Sequence, residues 1–331
     1  MYKKILLMIL CFLAAMSCSS PSNPDNTNNG DIVNGGGSGN GGGSGNAGDG
    51  GSTGGGGNTD IPWTEIAPPL PVLDEEAKTY GIDISQENSA IKEQIRTKIQ
   101  QYNKDKGGYK VIFIGTPKAE YTQQSSLARL VIDVAEELYK YKSINIEIDI
   151  SKIYFNERKI KSSMFKGYIG YGYYTITFKF PENVIRVIEG NAFSLYSKFL
   201  EEITIPDSVI SIDNYAFQKS DSIKQITFNE TSQLEYIGDL SFSYLKKIKE
   251  ITIPASVKSI GSRAFGTTSA LTTVIYLGTD PNTISHSGNI FDDTVTTLIV
   301  PNAPETSEEE LKSKWQNFLG CNFTTIKKQI N

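Results

Sequence analysis

Cysteine and histidine are almost missing from this 331-residue chain, which holds three of the first and one of the second. Cys11 and Cys18 lie among the first twenty residues, and only Cys321 lies beyond them. Once a leader is removed no intrachain disulfide can form, and a Cys-x-x-Cys metal or redox centre is excluded. With His286 alone there is no histidine-based metal triad, and no Gly-x-Ser-x-Gly elbow accompanies it to suggest a nucleophile. His286 reads as a loop residue and Cys321 as a small core residue near the C-terminus. Positive charge is not in excess, since 32 Lys and Arg stand against 37 Asp and Glu for a net charge of −5. That balance argues against a phosphate-backbone binder, so no nucleic-acid partner is expected. Long hydrophobic runs are lacking too. The longest, residues 5–15, has roughly eleven residues, short of the 17 to 25 or so that a membrane span needs.

That run is a signal peptide. Lys3 and Lys4 precede it, and it ends in Ala15-Met16-Ser17-Cys18. Small residues just before a cysteine are the mark of a bacterial lipoprotein signal, in which the thiol takes lipid and the cysteine becomes the new N-terminus. Cys18 fits this and Cys11, inside the apolar run, does not. Ala15 stands where leucine is usual, and cleavage with secretion is the other reading. Residues 1–17 are thus read as leader and Cys18 as the lipidation site, giving an exported chain held in the cell envelope, at the outer membrane and cell surface. Residues 18–60 are Gly, Ser, Asn and Asp and carry roughly half of the 30 glycines. Such a stretch cannot form a core and is expected to be a disordered tether, spanning roughly 35 Å for about 40 residues.

The remainder is decided by self-similarity. Leu200-Glu-Glu-Ile203-Thr-Ile205-Pro206 returns as Ile223-Lys-Gln-Ile226-Thr-Phe228-Asn229, as Ile248-Lys-Glu-Ile251-Thr-Ile253-Pro254, and more loosely from Leu271 and Val295. Each block is followed by a second one, closing in Ala192-Phe193, Ala216-Phe217, Ser241-Phe242 and Ala264-Phe265, with a degraded copy at Ile290-Phe291. A period of about 23 to 25 residues is the signature of a solenoid, read here as one strand and a return turn per unit. Alternation turns Ile203 and Ile205 inward and Glu202 and Thr204 outward. Pro206, Pro254 and Pro301 end their strands, having no N–H for a ladder.

Leu-x-x-Ile-Thr-Ile-Pro-x-Ser-Val-x-x-Ile closed by Ala-Phe resembles the BspA-like leucine-rich repeat of bacterial surface lipoproteins, of the spirochaete and Bacteroides type. The resemblance covers about residues 175–301. Asn229 for proline, Leu240-Ser241-Phe242 for the Ala-Phe pair, and the irregular stretch 278–289 depart from it. The expected fold is α/β: a leucine-rich-repeat solenoid of about five repeats, with an N-terminal α/β capping region over 61–174 and a small C-terminal cap over 302–331. In the first, helices over 89–102 and 125–141 alternate with strands over 109–115 and 144–150, which implies parallel pairing leading into the solenoid sheet. In the second, a helix over 307–319 and a strand over 322–326 close the far end.

Chemistry is scarce, and the sequence reads as a binding protein and not an enzyme, with no catalytic residue, cofactor or metal site. Acidic groups such as Glu201-Glu202 and Glu308-Glu309-Glu310 suit helix starts or solvated faces. Asn145, Glu147 and Asp149 alternate on one strand face without EF-hand spacing, which reads as a solvated face and not a calcium site. The candidate is a surface made by the outward positions of successive strands. Thr177, Glu202, Gln225, Glu250, Thr273 and Thr297 form one row. Lys179, Thr204, Thr227, Thr252, Ile275 and Ile299 form its neighbour. Outward Ile275 and Ile299 make an apolar patch, read as holding the C-terminal helix, with a bound partner as the other reading. Tyr168, Tyr171, Tyr173 and Tyr174 are a second set with recognition character, or simply strand residues. The resemblance implies a protein partner, either host extracellular matrix or another bacterial surface protein, with the membrane reached through the lipid at Cys18. A periplasm-facing scaffold or ligand-capture lipoprotein, and an envelope hydrolase, are the alternatives.

Overall fold

The computed structural model describes residues 66–328, apart from 169–171 and residue 197. The lipidation reading at Cys18, the leader and the tether lie outside the described residues.

Asp74 caps the first helix, α1 (Glu75–Tyr80), by accepting from the Ala77 N–H. The chain turns directly into strand β1 (Gly81–Asp83), where a side chain on Gly81 would strike the Ala77 carbonyl at 2.2 Å. Helix α2 (Asn88–Lys106) buries Ile91, Ile95 and Ile99 on one face and stops at left-handed Gly107. Strand β2 (Tyr109–Gly115), helix α3 (Leu127–Tyr139) and strand β3 (Asn145–Ile153) follow. After a two-residue strand, β4 (Lys159–Ile160), comes β5 (Thr175–Lys179). The order β1-β2-β3-β5 is parallel throughout, as expected from alternating helix and strand. Sequence periodicity does not show α1 and β1, which are too short to carry a pattern.

Each repeat then contributes two strands, where the sequence pattern suggests one. The long ones are β7 (Glu202–Ile205), β9 (Gln225–Phe228), β11 (Glu250–Ile253), β13 (Thr273–Tyr276) and β15 (Thr297–Ile299). The short ones are β6 (Val187–Ile188), β8 (Ser211–Ile212), β10 (Tyr236–Ile237), β12 (Ser259–Ile260) and β14 (Ser285–His286). With β4 the short strands make a six-stranded parallel sheet in the order β14-β12-β10-β8-β6-β4. The motif serine after the proline ties unit to unit: Ser208 Oγ donates to the Ile185 carbonyl at 2.8 Å, and Ser256 Oγ to that of Leu234 at 2.7 Å.

Five residues past the last residue of each short strand comes the phenylalanine. Phe193, Phe217, Phe242, Phe265 and Phe291, preceded by Phe165, stack ring on ring at 5.1–5.6 Å and within 19° of parallel. Burial holds them at 0 to 9% exposure. The turns that present them are left-handed at a fixed offset. Ser163, Asn191, Tyr215, Leu240 and Arg263, two residues before a phenylalanine, have φ of 51 to 62° or 65°. That conformation costs an L-residue roughly 1–2 kcal/mol, which the stacked core over-determines.

Beyond the repeats, the capping box of Ser307 and Glu310 starts α4 (Glu308–Trp315), which is shorter than the helix expected over 307–319 because a 3-10 turn at Phe318–Gly320 ends it. Strand β16 (Thr325–Lys327) pairs with β15 and closes the sheet edge.

Candidate binding face

Within ladders the outward rows are in register. Glu202 lies across from Gln225 and Thr204 from Thr227 on β7 and β9, and Glu250, Thr273 and Thr297 align across β11, β13 and β15. Glu202, Thr204, Gln225 and Glu250 are exposed, and Thr227, Thr252, Thr273 and Thr297 are half-buried. Two expectations need correction. The rows do not form one continuous sheet, because no ladder joins β5 to β7 or β9 to β11. Strands whose starts are 23 residues apart, Glu202 to Gln225 and Glu250 to Thr273, pair, while Gln225 to Glu250, 25 residues, does not. Second, Ile275 and Ile299 are each only 4% exposed, so the exposed apolar patch is absent. The C-terminal helix is not what their side of the strand faces. Trp315 and Phe318 pack on the Tyr276 ring, at 5.9 and 4.8 Å, and alternation sends Tyr276 to the opposite side from Ile275.

The break between β5 and β7 has a readable cause. β5 alternates strictly, with Tyr174, Ile176 and Phe178 directed to the core, whereas the next unit spaces its inward residues as Leu200, Ile203 and Ile205. The two patterns agree at Ile176, whose N–H donates to the Phe199 carbonyl at 2.7 Å, and then fall out of phase. The strands splay, leaving a cleft of about 520 Å³ whose lining includes Thr177, Phe178, Phe180, Glu182, Glu202 and Thr204, and also Asp207 and Asn229. Asp207 accepts from Asn229 Nδ2 at 2.8 Å.

On the β3 side of β5 the reading of Asn145, Glu147 and Asp149 as a solvated face is corrected: Asn145 is exposed, Glu147 half-buried and Asp149 covered. Asp149 is 2% exposed and receives Lys110 Nζ at 3.2 Å and Lys179 Nζ at 3.0 Å. Glu76 from α1 and Glu147 complete the cage around Lys110, at 2.7 and 3.2 Å. Burial works to raise the Asp149 pKa, but hydrogen bonds from Ser151 and the two lysines outweigh it and hold the carboxyl below its ordinary value. Burial likewise works against the Lys110 charge, and its bonds to Glu76, Asp149 and Glu147 push its pKa above that of a free lysine. The lysines fill the place a cation would take.

The tyrosines do not form one surface. Tyr174 is 2% exposed, stacked on Phe199 at 4.5 Å, and Tyr168 lies under the Arg129 guanidinium at 3.7 Å. Tyr173 is 72% exposed, and Tyr171 lies outside the described residues. His286 ends the short ladder opposite Ile260, exposed, its Nδ1 3.1 Å from the Gly288 carbonyl. Cys321 is half-buried, and burial pushes its thiol pKa up, away from the reactive thiolate. Among the described residues no three His, Cys, Asp or Glu side chains are grouped to hold a metal, and no helix is long and apolar enough to cross a membrane. The sequence reading missed the cleft and the repeat copy around Met164-Phe165. Its signal was available, since Ile160 precedes Phe165 by the same interval as Ile188 precedes Phe193.

Residues 158–294 match the BspA type Leucine rich repeat region in six copies. No curated protein matches the chain. Among solved structures, a leucine-rich repeat protein from Bacteroides ovatus is similar at 13% identity with a TM-score of 0.28, covering 58% of this chain and 66% of that one, just under two thirds. One from Eubacterium ventriosum matches at 14% identity and a TM-score of 0.27, covering 67% and 80%. The pneumococcal vaccine antigen PcpA matches at 14% identity and a TM-score of 0.22, covering 57% and 80%.

Proposed function

Because residues 158–294 are a run of BspA-type leucine-rich repeats, we propose that this chain works by binding a protein partner on its long-strand face and not by catalysis. The observation that carries the reading is the exposure of Glu202, Thr204 and Gln225 in register on β7 and β9, with exposed Glu250 in register with Thr273 on the next ladder. A backbone already fixed in packed strands has little further entropy to lose when a partner covers it. The leader, Cys18 and the glycine-rich stretch after it support an envelope lipoprotein that serves as an adhesin, toward host matrix proteins or other bacterial cells.

Two measurements test this. Intact cells are treated with protease and the chain followed by immunoblot. Cleavage before lysis is expected; cleavage only after lysis, with a known surface protein already lost, overturns surface display in favour of a periplasmic scaffold. Separately, the chain is tested against immobilised extracellular matrix proteins, with a Glu202→Ala, Thr227→Ala, Glu250→Ala triple variant expected to lose capture. Undiminished capture by that variant rejects the face.

A further inference from the structure

We infer that the cleft between β5 and β7 is a docking site for an extended, cationic peptide segment of a partner protein, which adds itself to the open strand edges there. This deepens the binding-face reading and rests on it.

Backbone geometry is the first support. In a parallel ladder each residue points its N–H and C=O to one side, and the next residue to the other. Thr175 donates toward β3, to the Ile144 carbonyl at 2.9 Å, and Ile176 donates toward β7. By the same alternation Phe178 turns its N–H and C=O toward β7. On the facing strand, Glu201 accepts from the Gln225 N–H on the β9 side, so Ile203 also faces β9 while Glu202 and Thr204 turn their backbone groups toward β5. No ladder joins these two edges, and the Ile176 N–H on the Phe199 carbonyl lies at their near end. Unpaired backbone groups on a strand edge are a template for another strand.

Shape and charge select the occupant. The cleft volume of about 520 Å³ accepts a few residues of extended chain, and Phe178, Phe180 and Pro181 give its lining apolar surface beside Thr177 and Thr204. Three carboxylates line it, Glu182, Glu202 and Asp207, and no lysine or arginine does. Lys179, the nearest cation along β5, is committed to Asp149. A segment alternating lysine or arginine with a β-branched residue would set its cations on the carboxylates and its apolar side chains on the phenylalanines.

The test uses the full chain and fluorescence anisotropy with a labelled octapeptide of alternating Lys and Val, at physiological salt. Its Glu-Val counterpart and a Lys-Val peptide N-methylated at alternate backbone nitrogens are the comparison probes. The Lys-Val peptide is expected to bind, and both comparison peptides to bind at least about tenfold more weakly. Glu182→Lys with Glu202→Lys should weaken the Lys-Val peptide by a similar factor, while Glu120→Lys with Asp293→Lys, two exposed sites elsewhere, should not. Because all four positions are exposed, folding is checked by unchanged circular dichroism melts. Failure of the Lys-Val peptide to bind, indifference to N-methylation, or equal weakening by the two charge reversals each overturns the assignment. Matrix-protein capture persisting beside such a failure would leave the binding face standing, so the two readings fail separately.

Discussion

The rings of Phe193 and Phe217 lie 5.2 Å apart and 4° from parallel, so that two residues 24 positions apart in sequence stack as neighbours along the solenoid axis. The stack has no gap from Phe165 to Phe291. Phe217→Ala removes a fully buried ring between two others, and a loss of about 3–5 kcal/mol is expected. Phe291→Ala, at the end of the stack and 9% exposed, should cost less. Urea unfolding of both variants checks the difference, and equal losses would show that the stack does not act as a continuous core.

A second prediction concerns acid. The folded-state pKa of Asp149 is depressed, so its contribution is present above the unfolded carboxylate pKa of about 3.9 and is lost as pH falls through the lower folded value. Lys110 has the opposite sign: its raised pKa gives stability that is full below the unfolded lysine value and lost as pH rises through the folded one. Stability should therefore be level between these limits as far as this cage is concerned. Asp149→Asn should flatten the acid limb. Lys110→Met, which leaves the buried Asp149 carboxylate with Lys179 as its remaining ion-pair partner beside the Ser151 hydrogen bonds, should cost about 3 kcal/mol at neutral pH. Denaturation midpoints against pH for the three proteins decide it.

Tyr196 offers a third. Its hydroxyl, fully buried, donates to the Phe165 carbonyl at 2.7 Å, and burial pushes its pKa well above the ordinary tyrosine value. Tyr196→Phe strands that carbonyl and should cost about 1–3 kcal/mol. Gly167→Ala should also destabilise, since a Cβ there would lie 2.8 Å from the Tyr196 ring. Thermal melts are sufficient, and an unchanged midpoint for Gly167→Ala would mean the ring can move aside.

The fourth prediction is a gain. Arg263 is exposed with φ of 51°, a conformation asparagine tolerates better than arginine. Arg263→Asn should stabilise by about 0.5–1 kcal/mol, and Arg263→Val should do the reverse. If both melt like the parent, the turn carries no strain.

What could be read from the sequence follows from range of influence. Ile203, Ile205 and the phenylalanines repeat at a fixed interval, and each copy confirms the next, so the strands, the solenoid and the stacking direction were legible. Of the three helices before the repeats, α2 showed through Ile91, Ile95 and Ile99 and α3 through its apolar face, while six-residue α1 did not. Two-residue strands such as Ser211–Ile212 leave no period to detect. Asp149 was misread because its cover comes from Glu76 and Lys110, which no local pattern connects to it. Of the candidate face, the register of Glu202 with Gln225 was visible in the alignment. The break beside β5 was not, because it arises from two inward patterns that are each regular and disagree only when laid side by side.

Lys152 Nζ bonds the Val72 carbonyl at 3.1 Å and the Asp74 carboxylate at 3.0 Å, and Arg158 Nε bonds the Ile66 carbonyl at 2.9 Å. The first described residues are thus laced onto the end of β3 and the first residue of the repeats before the chain enters α1. A pull on residue 66 meets these three bonds first and then the parallel pairing of β1 with β2. A parallel pair loaded along its length must shear its bonds together, where a hairpin would unzip one at a time. A partner held near β5 would draw the line of tension through this small sheet alone, and the repeats from β9 onward would be spectators to the force.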